Sequence, residues 1–303
     1  MRVIITGGSG LIGCALLKEL VKDGHEVIAL SRSPEKIQAR LPAGVRAVGW
    51  DARSSAGWGD LMDGASAVVN LAGENLKAWR WTSSQKKKIQ DSRVNAGKAV
   101  VEAVEKANVK PGVLVQASAI GYYGPHFDEI LTEDSPVGKD FQCQVLLAFE
   151  ASTLSVEAMG VRRIIIRSGV VLTLDGGALP LMLLPFKLFV GGKLGSGKQW
   201  LSWITMQDEI AAIRYLIESE QSKGIYNLTS PNPIRNADFS RVVGRVLKRP
   251  SVFPAPAFIL KLVLGEMSTI VLDGQRVIPE RLDKIGFRFK YPDVEGALKA
   301  LLK

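Results

Sequence analysis

Short apolar runs alternate with longer amphipathic ones through the first half of the chain. Arg2–Thr6, Glu26–Leu30, Val45–Trp50, Ala67–Leu71, Gly112–Ala117 and Arg162–Arg167 have strand length and strand composition. Leu11–Lys22, Ser83–Ala107 and Phe141–Met159 carry apolar residues at helical spacing. Strands separated by helices predict an α/β fold with a Rossmann-type, doubly wound parallel sheet. Val113-Leu114-Val115 and Ile164-Ile165-Ile166 are apolar without alternation, as expected for strands covered on both faces.

The rhythm breaks after Gly169. Paired and single glycines from Gly176 to Gly197 predict loops with one short helix over 169–200. Helices are expected at Asp208–Glu220, Asn236–Leu247, Ile259–Leu264 and Val294–Leu302, with a strand at Gly224–Thr229. This divides the chain into 1–168, an α/β domain whose sheet is completed by segments near 200–229, and 169–303, a smaller mixed α/β domain. Its most distinctive part runs from about 248 to 303.

Composition narrows the function classes. With 303 residues, 47% of them hydrophobic and 23% charged, the chain can bury a core without disulfides. Two cysteines, Cys14 and Cys143, and two histidines, His25 and His126, leave no metal-ligand set, so no metal is expected. No secretion signal is visible, and the apolar stretches Leu179–Val190 and Ile259–Leu264 fall short of the ~20 residues of a membrane span. A reduced, cytoplasmic protein is the expectation. The formal charge of +9 could serve nucleic acid, an acidic membrane surface or an anionic small ligand. Lys86-Lys87-Lys88 beside Trp79, Arg80 and Trp81 gives faint single-stranded nucleic-acid character, but Ile89, Val94 and Val100 make it the start of an amphipathic helix. Nucleic acid is discounted.

The chemistry is concentrated at Thr6-Gly7-Gly8-Ser9-Gly10-Leu11-Ile12-Gly13, which closes the first strand and opens a helix. Gly8, Gly10 and Gly13 fit one dinucleotide spacing; Gly7, Gly10 and Gly13 fit another. Glycines there allow a tight turn and backbone approach to a pyrophosphate, which the helix N-terminus then faces. At the end of the second strand, where an NAD site places a carboxylate, the chain has Ser31-Arg32-Ser33. Arg32 suits a 2′-phosphate, so NADP(H) is the expected cofactor.

These residues, with Val69–Asn75, Ser92-Arg93, Ser118–Gly124, Arg167–Leu172 and Trp203–Asp208, resemble the extended short-chain dehydrogenase/reductase superfamily. The nearest resemblance is to its atypical epimerase-family branch, whose C-terminal domain of unknown function is matched by Leu272–Pro279 through Gly286-Phe287. The resemblance covers essentially the whole chain. It implies an oxidoreductase-like protein that holds NADP(H), with a substrate of unknown identity or a protein partner at the C-terminal domain. Leu71-Ala72-Gly73 would line the cofactor and Arg93 would reach toward it, unless Arg93 serves a helix-surface ion pair. Asp51 would meet the adenine or cap its own loop. Asp208 would act as helix N-cap and domain tie.

The departure from the family lies in the proton machinery. Hydride-transfer members carry Tyr-x-x-x-Lys, and counting back from Glu150 places Gln142 and Leu146 at those positions. The accompanying hydroxyl is Ser118, or Ala119 if the alignment follows Tyr123-Gly124. Candidate substitutes are Ser118, Tyr122, Tyr123 and Glu74; each has an alternative reading as packing, shelf or turn residue. Cys143 reads as a small apolar residue.

Overall fold

The computed structural model describes residues 1–75 and 81–303. Trp79 and Arg80 of the basic–aromatic run lie outside the described residues. Seven parallel strands form one sheet: β1 (Arg2–Thr6), β2 (Glu26–Ser31), β3 (Val45–Gly49), β4 (Ala67–Asn70), β5 (Val113–Ala119), β6 (Arg162–Ser168) and β7 (Gly224–Leu228). Their order is β7-β6-β5-β4-β1-β2-β3. The winding reverses between β1 and β4, which opens a crevice at their carboxyl ends.

Alternation along each strand feeds two cores. Val3, Ile5, Val27 and Ala29 meet Leu16, Leu17 and Leu20 of α1 (Leu11–Lys22) on one face. Ile4, Ile28 and Val68 meet Ala96, Val100 and Val104 of α2 (Ser83–Lys106) on the other. Each fully buried leucine or valine contributes roughly 1.5–3 kcal/mol from lost apolar hydration. A third core joins Leu179, Leu183, Trp203, Phe239 and Leu298 in the C-terminal half.

Two expectations change. The helix expected over 141–159 ends at Ala151 as α3 (Phe141–Ala151), and Leu154–Met159 is a 3₁₀ stretch. Ser152 explains the break: its hydroxyl donates back to the Phe149 carbonyl at 2.7 Å, and it presses on Gly97 of α2, where an added Cβ would lie 1.9 Å from Ser152 Oγ. The segment 169–200 also holds more than loops and a helix. Val170–Leu172 pairs in parallel with Trp203–Thr205, and Trp200–Leu201 pairs with Ile234–Arg235. Two- and three-residue strands are too short to show a period.

The last long helix of the sheet layer, α4 (Met206–Glu218), shows a local correction. Thr205, not Asp208, is its N-cap and accepts from the Asp208 backbone N–H at 3.0 Å. The Asp208 carboxylate accepts from the backbone of Lys290 at 2.7 Å and of Tyr291 at 3.1 Å. It is therefore a tie to the C-terminal segment.

Candidate functional site

The crevice is floored by a buried polar chain. Thr6 Oγ1 donates to Asn70 Oδ1 at 2.6 Å, and Asn70 Nδ2 donates to Gln116 Oε1 at 2.9 Å. Side chains thus lock the carboxyl ends of β1, β4 and β5 together, which fixes the loops above them.

The glycine loop is shaped by its own backbone. Gly7 has φ +68°, and a Cβ there would lie 2.7 Å from the Leu71 carbonyl oxygen. At Gly13 a Cβ would lie 2.4 Å from the Gly7 carbonyl oxygen. Gly10 is the N-cap of α1 and no side chain caps the helix, so its first N–H groups point into the crevice with the positive end of the helix dipole. This cradle fits a pyrophosphate. Leu11 packs against Gly176 and Gly177 across the crevice, while Ile12 turns into the core.

Around the cradle lies a cleft of about 390 Å³ bounded by Gly7, Gly10, Ser31, Arg32, Trp50 and Glu74. Arg32 is exposed on its wall and makes no hydrogen bond or ion pair with another described residue. The Ser31 hydroxyl accepts from the Ser33 N–H at 3.1 Å, which shapes the turn that presents Arg32. Asp51 is committed to its own loop: its carboxylate accepts from the backbone of Arg53 and Ser54 and from the Ser54 hydroxyl, and these bonds hold its pKa below the usual range. Its neighbours Trp50 and Ala52 line the cleft instead. A periodic strand pattern carries no sign of that shift by one residue.

Leu71, Ala72 and Gly73 also line a second cavity of about 160 Å³, so the two adjoin at these residues. At the join lies Arg93. Its guanidinium sits under Gly73, where a Cβ would touch Cζ at 3.0 Å, and donates to the carbonyls of Glu74 at 3.2 Å and Ile89 at 3.0 Å. Burial pushes the Arg93 pKa down to about 10, with Glu74 opposing the shift. Arg93 is a groove residue braced on backbone, not a surface ion-pair partner.

Gln142 and Leu146 face this second cavity together, with Phe141, Val145 and Phe149 from the same helix and Ala117–Ala119 from β5. Arg93 is the one titratable side chain among the described residues that line it. The four candidate proton donors stand elsewhere or are otherwise engaged. Ser118 donates its hydroxyl proton to Glu150 Oε1 at 2.6 Å. Glu150 is in turn gripped by Arg167 through two bonds of 2.8 Å. Burial alone would lower the Arg167 pKa, but Glu150 carries it above the ordinary value.

Tyr123 is fully buried, its phenol fixed between Arg167 at 3.0 Å and Asn227 at 2.7 Å, and burial raises its pKa. As a proton donor to the groove it is ruled out by placement: it is a strut between β6 and β7. Tyr122 lies with its ring face 3.4 Å from the Arg167 guanidinium carbon, a cation–π contact, and lines neither cavity. Glu74 lines the Arg32 half of the groove, away from Gln142. Cys143 is buried against the Gly121 carbonyl and its thiol is pushed up to about 12, chiefly by burial.

Known proteins match this arrangement end to end. The family described as NAD dependent epimerase/dehydratase matches residues 3–229, and a domain of unknown function, DUF1731, matches 255–301. The epimerase family protein SDR39U1 homolog, chloroplastic, of Arabidopsis thaliana is 41% identical, covering 100% of this chain and 87% of that protein. The epimerase family protein YfhF of Bacillus subtilis is 39% identical, covering 100% and 98%. Among solved structures, human epimerase family protein SDR39U1 (isoform 2) with NADPH superposes with a TM-score of 0.88 at 33% identity, covering 99% of each chain. By sequence, by fold and by its glycine cradle, the chain belongs to the NAD dependent epimerase/dehydratase family.

Proposed function

We propose that the protein holds NADP(H) in preference to NAD(H) and is an oxidoreductase of the short-chain dehydrogenase/reductase kind with weak, atypical catalysis. Residues 1–168 hold the cofactor and 169–303 mainly contact substrate or partner. Gly7, Gly10 and Gly13, with Leu11 and Ile12 opening the helix, would carry the pyrophosphate. Leu71–Gly73 would line the cofactor near its ribose and pyrophosphate, and Arg93 would reach toward it. Ser31 and Arg32 would take the 2′-phosphate. Asp51 stands near the adenine end only through its loop. The NADPH-bound human relative supports the cofactor assignment.

When bound, the nicotinamide supplies a hydride donor or acceptor. The observation that carries the catalytic reading is the cavity of Gln142 and Leu146, whose described lining has no carboxylate, phenol or amine. Gln142 can orient a polar group by hydrogen bonding but cannot exchange a proton near neutral pH. Ser118, whose hydroxyl hydrogen is engaged in its bond to Glu150, is left to accept only. The same engagement favours a second reading, a non-catalytic NADP(H)-binding regulatory or assembly protein.

Titration of the purified protein followed by NADPH fluorescence tests the assignment. Removing a hydrogen-bonding partner of a charged group costs about 1.5–3 kcal/mol. Arg32→Ala should therefore weaken NADPH by roughly ten- to a hundredfold and leave NADH nearly unchanged. Equal losses for both cofactors would overturn the preference. Turnover of NADPH with a panel of small carbonyls should stay well below the ~10 s⁻¹ of an ordinary enzyme. A rate at that level would overturn the weak-catalyst reading, and total absence of turnover would select the second reading.

A further inference from the structure

The two apolar stretches too short to cross a membrane meet on one side of the molecule. The helix Leu179–Lys187 buries Leu179, Leu183 and Phe186 and leaves Leu181 and Leu184 outside. It runs on into exposed Leu188, Phe189 and Val190. Beside this segment lies the chain around Val252 and Phe253, joined by bonds from Phe253 N to Gly191 O at 3.0 Å and from Ala255 N to Lys193 O at 2.9 Å. The second segment continues as the helix Ala257–Leu264, on which Phe258, Ile259 and Leu262 are exposed. Leu262 is 80% exposed, Val252 72% and Phe258 71%, so these apolar tips form a ridge left uncovered by the rest of the described residues. A contiguous apolar surface of this kind marks an interaction site.

Positive charge predominates around the ridge, although Arg241 is paired with Asp238, Arg245 with Glu295, and Glu266, just past the second helix, with Lys86. Residues 176–207 and 239–265 contain no Asp or Glu, yet carry Lys187, Lys193, Lys198, Arg241, Arg245, Lys248, Arg249 and Lys261. Lys187, Lys193, Lys248 and Lys261 are exposed and form no ion pair with another described residue. Arg249 lies over the Phe189 ring at 4.3 Å, so cation and apolar tip share one surface. A second copy of the chain would bring like charges together. Among the described residues no helix is long and apolar enough to cross a membrane, which leaves lying on one as the available mode.

We infer that this ridge inserts into the headgroup region of an anionic bilayer, with leucine and phenylalanine tips reaching the acyl boundary and the lysines meeting lipid phosphates. Insertion into fluid lipid needs no matching pocket, which suits exposed apolar tips, and the nearby acids Asp238, Glu266 and Glu295 are each held by a basic residue, so the unpaired lysines set the sign that a lipid surface meets. The exposed tips line neither the Gln142 cavity nor the cleft around the glycine cradle, although Glu266, just past the second helix, pairs with Lys86, which lies over the Phe141 ring of that cavity.

Flotation of the full chain with vesicles tests this. The wild type should float with 70:30 phosphatidylcholine:phosphatidylglycerol vesicles, stay behind with pure phosphatidylcholine, and release in 0.5 M salt. Leu188→Glu with Leu262→Glu should lower vesicle binding at least tenfold while circular dichroism and NADPH affinity stay at wild-type values. Lys187→Glu with Lys261→Glu, which leaves the apolar tips intact, should weaken binding by roughly fivefold or more per lysine, since each basic residue near such a surface is worth about that factor. Wild-type protein that ignores anionic vesicles overturns the inference. So does a dimer or a complex with an acidic protein that the Leu188→Glu, Leu262→Glu pair disrupts while vesicle binding survives.

Discussion

Around Gly7, Gly10 and Arg32 the groove is made of backbone N–H groups, a helix terminus and an unpaired guanidinium, all suited to phosphate. Around Gln142 it is made of amide, leucine, phenylalanine and alanine, with a single braced arginine at the edge. Both halves rest on the same locked strand ends. The glycine cradle is present, whereas, on the alignment given above, the three places that would handle a proton hold Ala119 or an engaged Ser118, Gln142 and Leu146. On the proposed reading, binding and proton transfer are separable properties of this scaffold, the first resting on a rigid sheet edge and the second on side chains of one helix.

The largest effect is expected at the glycine end. Gly10→Val adds a branched side chain to a position whose Cβ alone would lie 3.1 Å from the Gly7 carbonyl oxygen, on the side a pyrophosphate must approach. NADPH and NADH binding should both fall below detection by fluorescence titration, with a native circular dichroism spectrum. Retained affinity would place the nucleotide elsewhere and collapse the comparison.

At the other end the informative change is a gain. Gln142→Tyr with Leu146→Lys restores a phenol and an amine one helical turn apart on the cavity wall. A positioned general acid/base is worth 10²–10⁴-fold. With Ala119 still lacking a hydroxyl, a rise of about 10²-fold in NADPH-dependent reduction of a small carbonyl is expected, at unchanged NADPH affinity. No rise would mean that the cavity does not receive the reacting carbon.

The smallest effect on either half comes from a buried acid that belongs to neither. Glu209 on α4 is fully buried, accepts from Ser168 Oγ at 2.6 Å through one oxygen, and has no partner for the other among the described residues. Burial pushes its pKa up to about 8, with Ser168 opposing. Between about pH 4.5 and 8 the unfolded chain therefore loses this proton while the folded chain keeps it, so stability falls as pH rises through that window. Glu209→Gln should raise the melting temperature at pH 8.5 by several degrees and change it little at pH 5, without altering NADPH affinity. An equal shift at both pH values would show that Glu209 is not protonated in the fold.

The sheet was legible because each strand is an apolar run and each helix a 3.6-residue period: β1, α1 and the helix Asn236–Leu247 begin and end where the pattern says. The glycine loop was legible because its constraint is local. The Ser152 break was not, since it depends on Gly97, far away in the chain. Nor were the fates of Ser118 and Tyr123, which are settled by Glu150, Arg167 and Asn227 arriving from three other elements. Glu209 did leave a trace: it shares a helix face with Ile213 and Leu216, a pattern that places a carboxyl in the core.

The position of β7 bears on how the chain is made. β6 ends at Ser168, but its outer neighbour is residues 224–228, so the Ile164–Ile166 row stays an open edge while the next sixty residues (168 to 228) are synthesised. At ribosomal rates of about 5–20 residues per second, that edge is exposed for roughly 3–12 s. The nascent chain thus passes through a stage in which its most apolar strand awaits its partner. A ribosome stalled inside that interval would display a nearly complete sheet with one adhesive border, the species a cellular chaperone would meet.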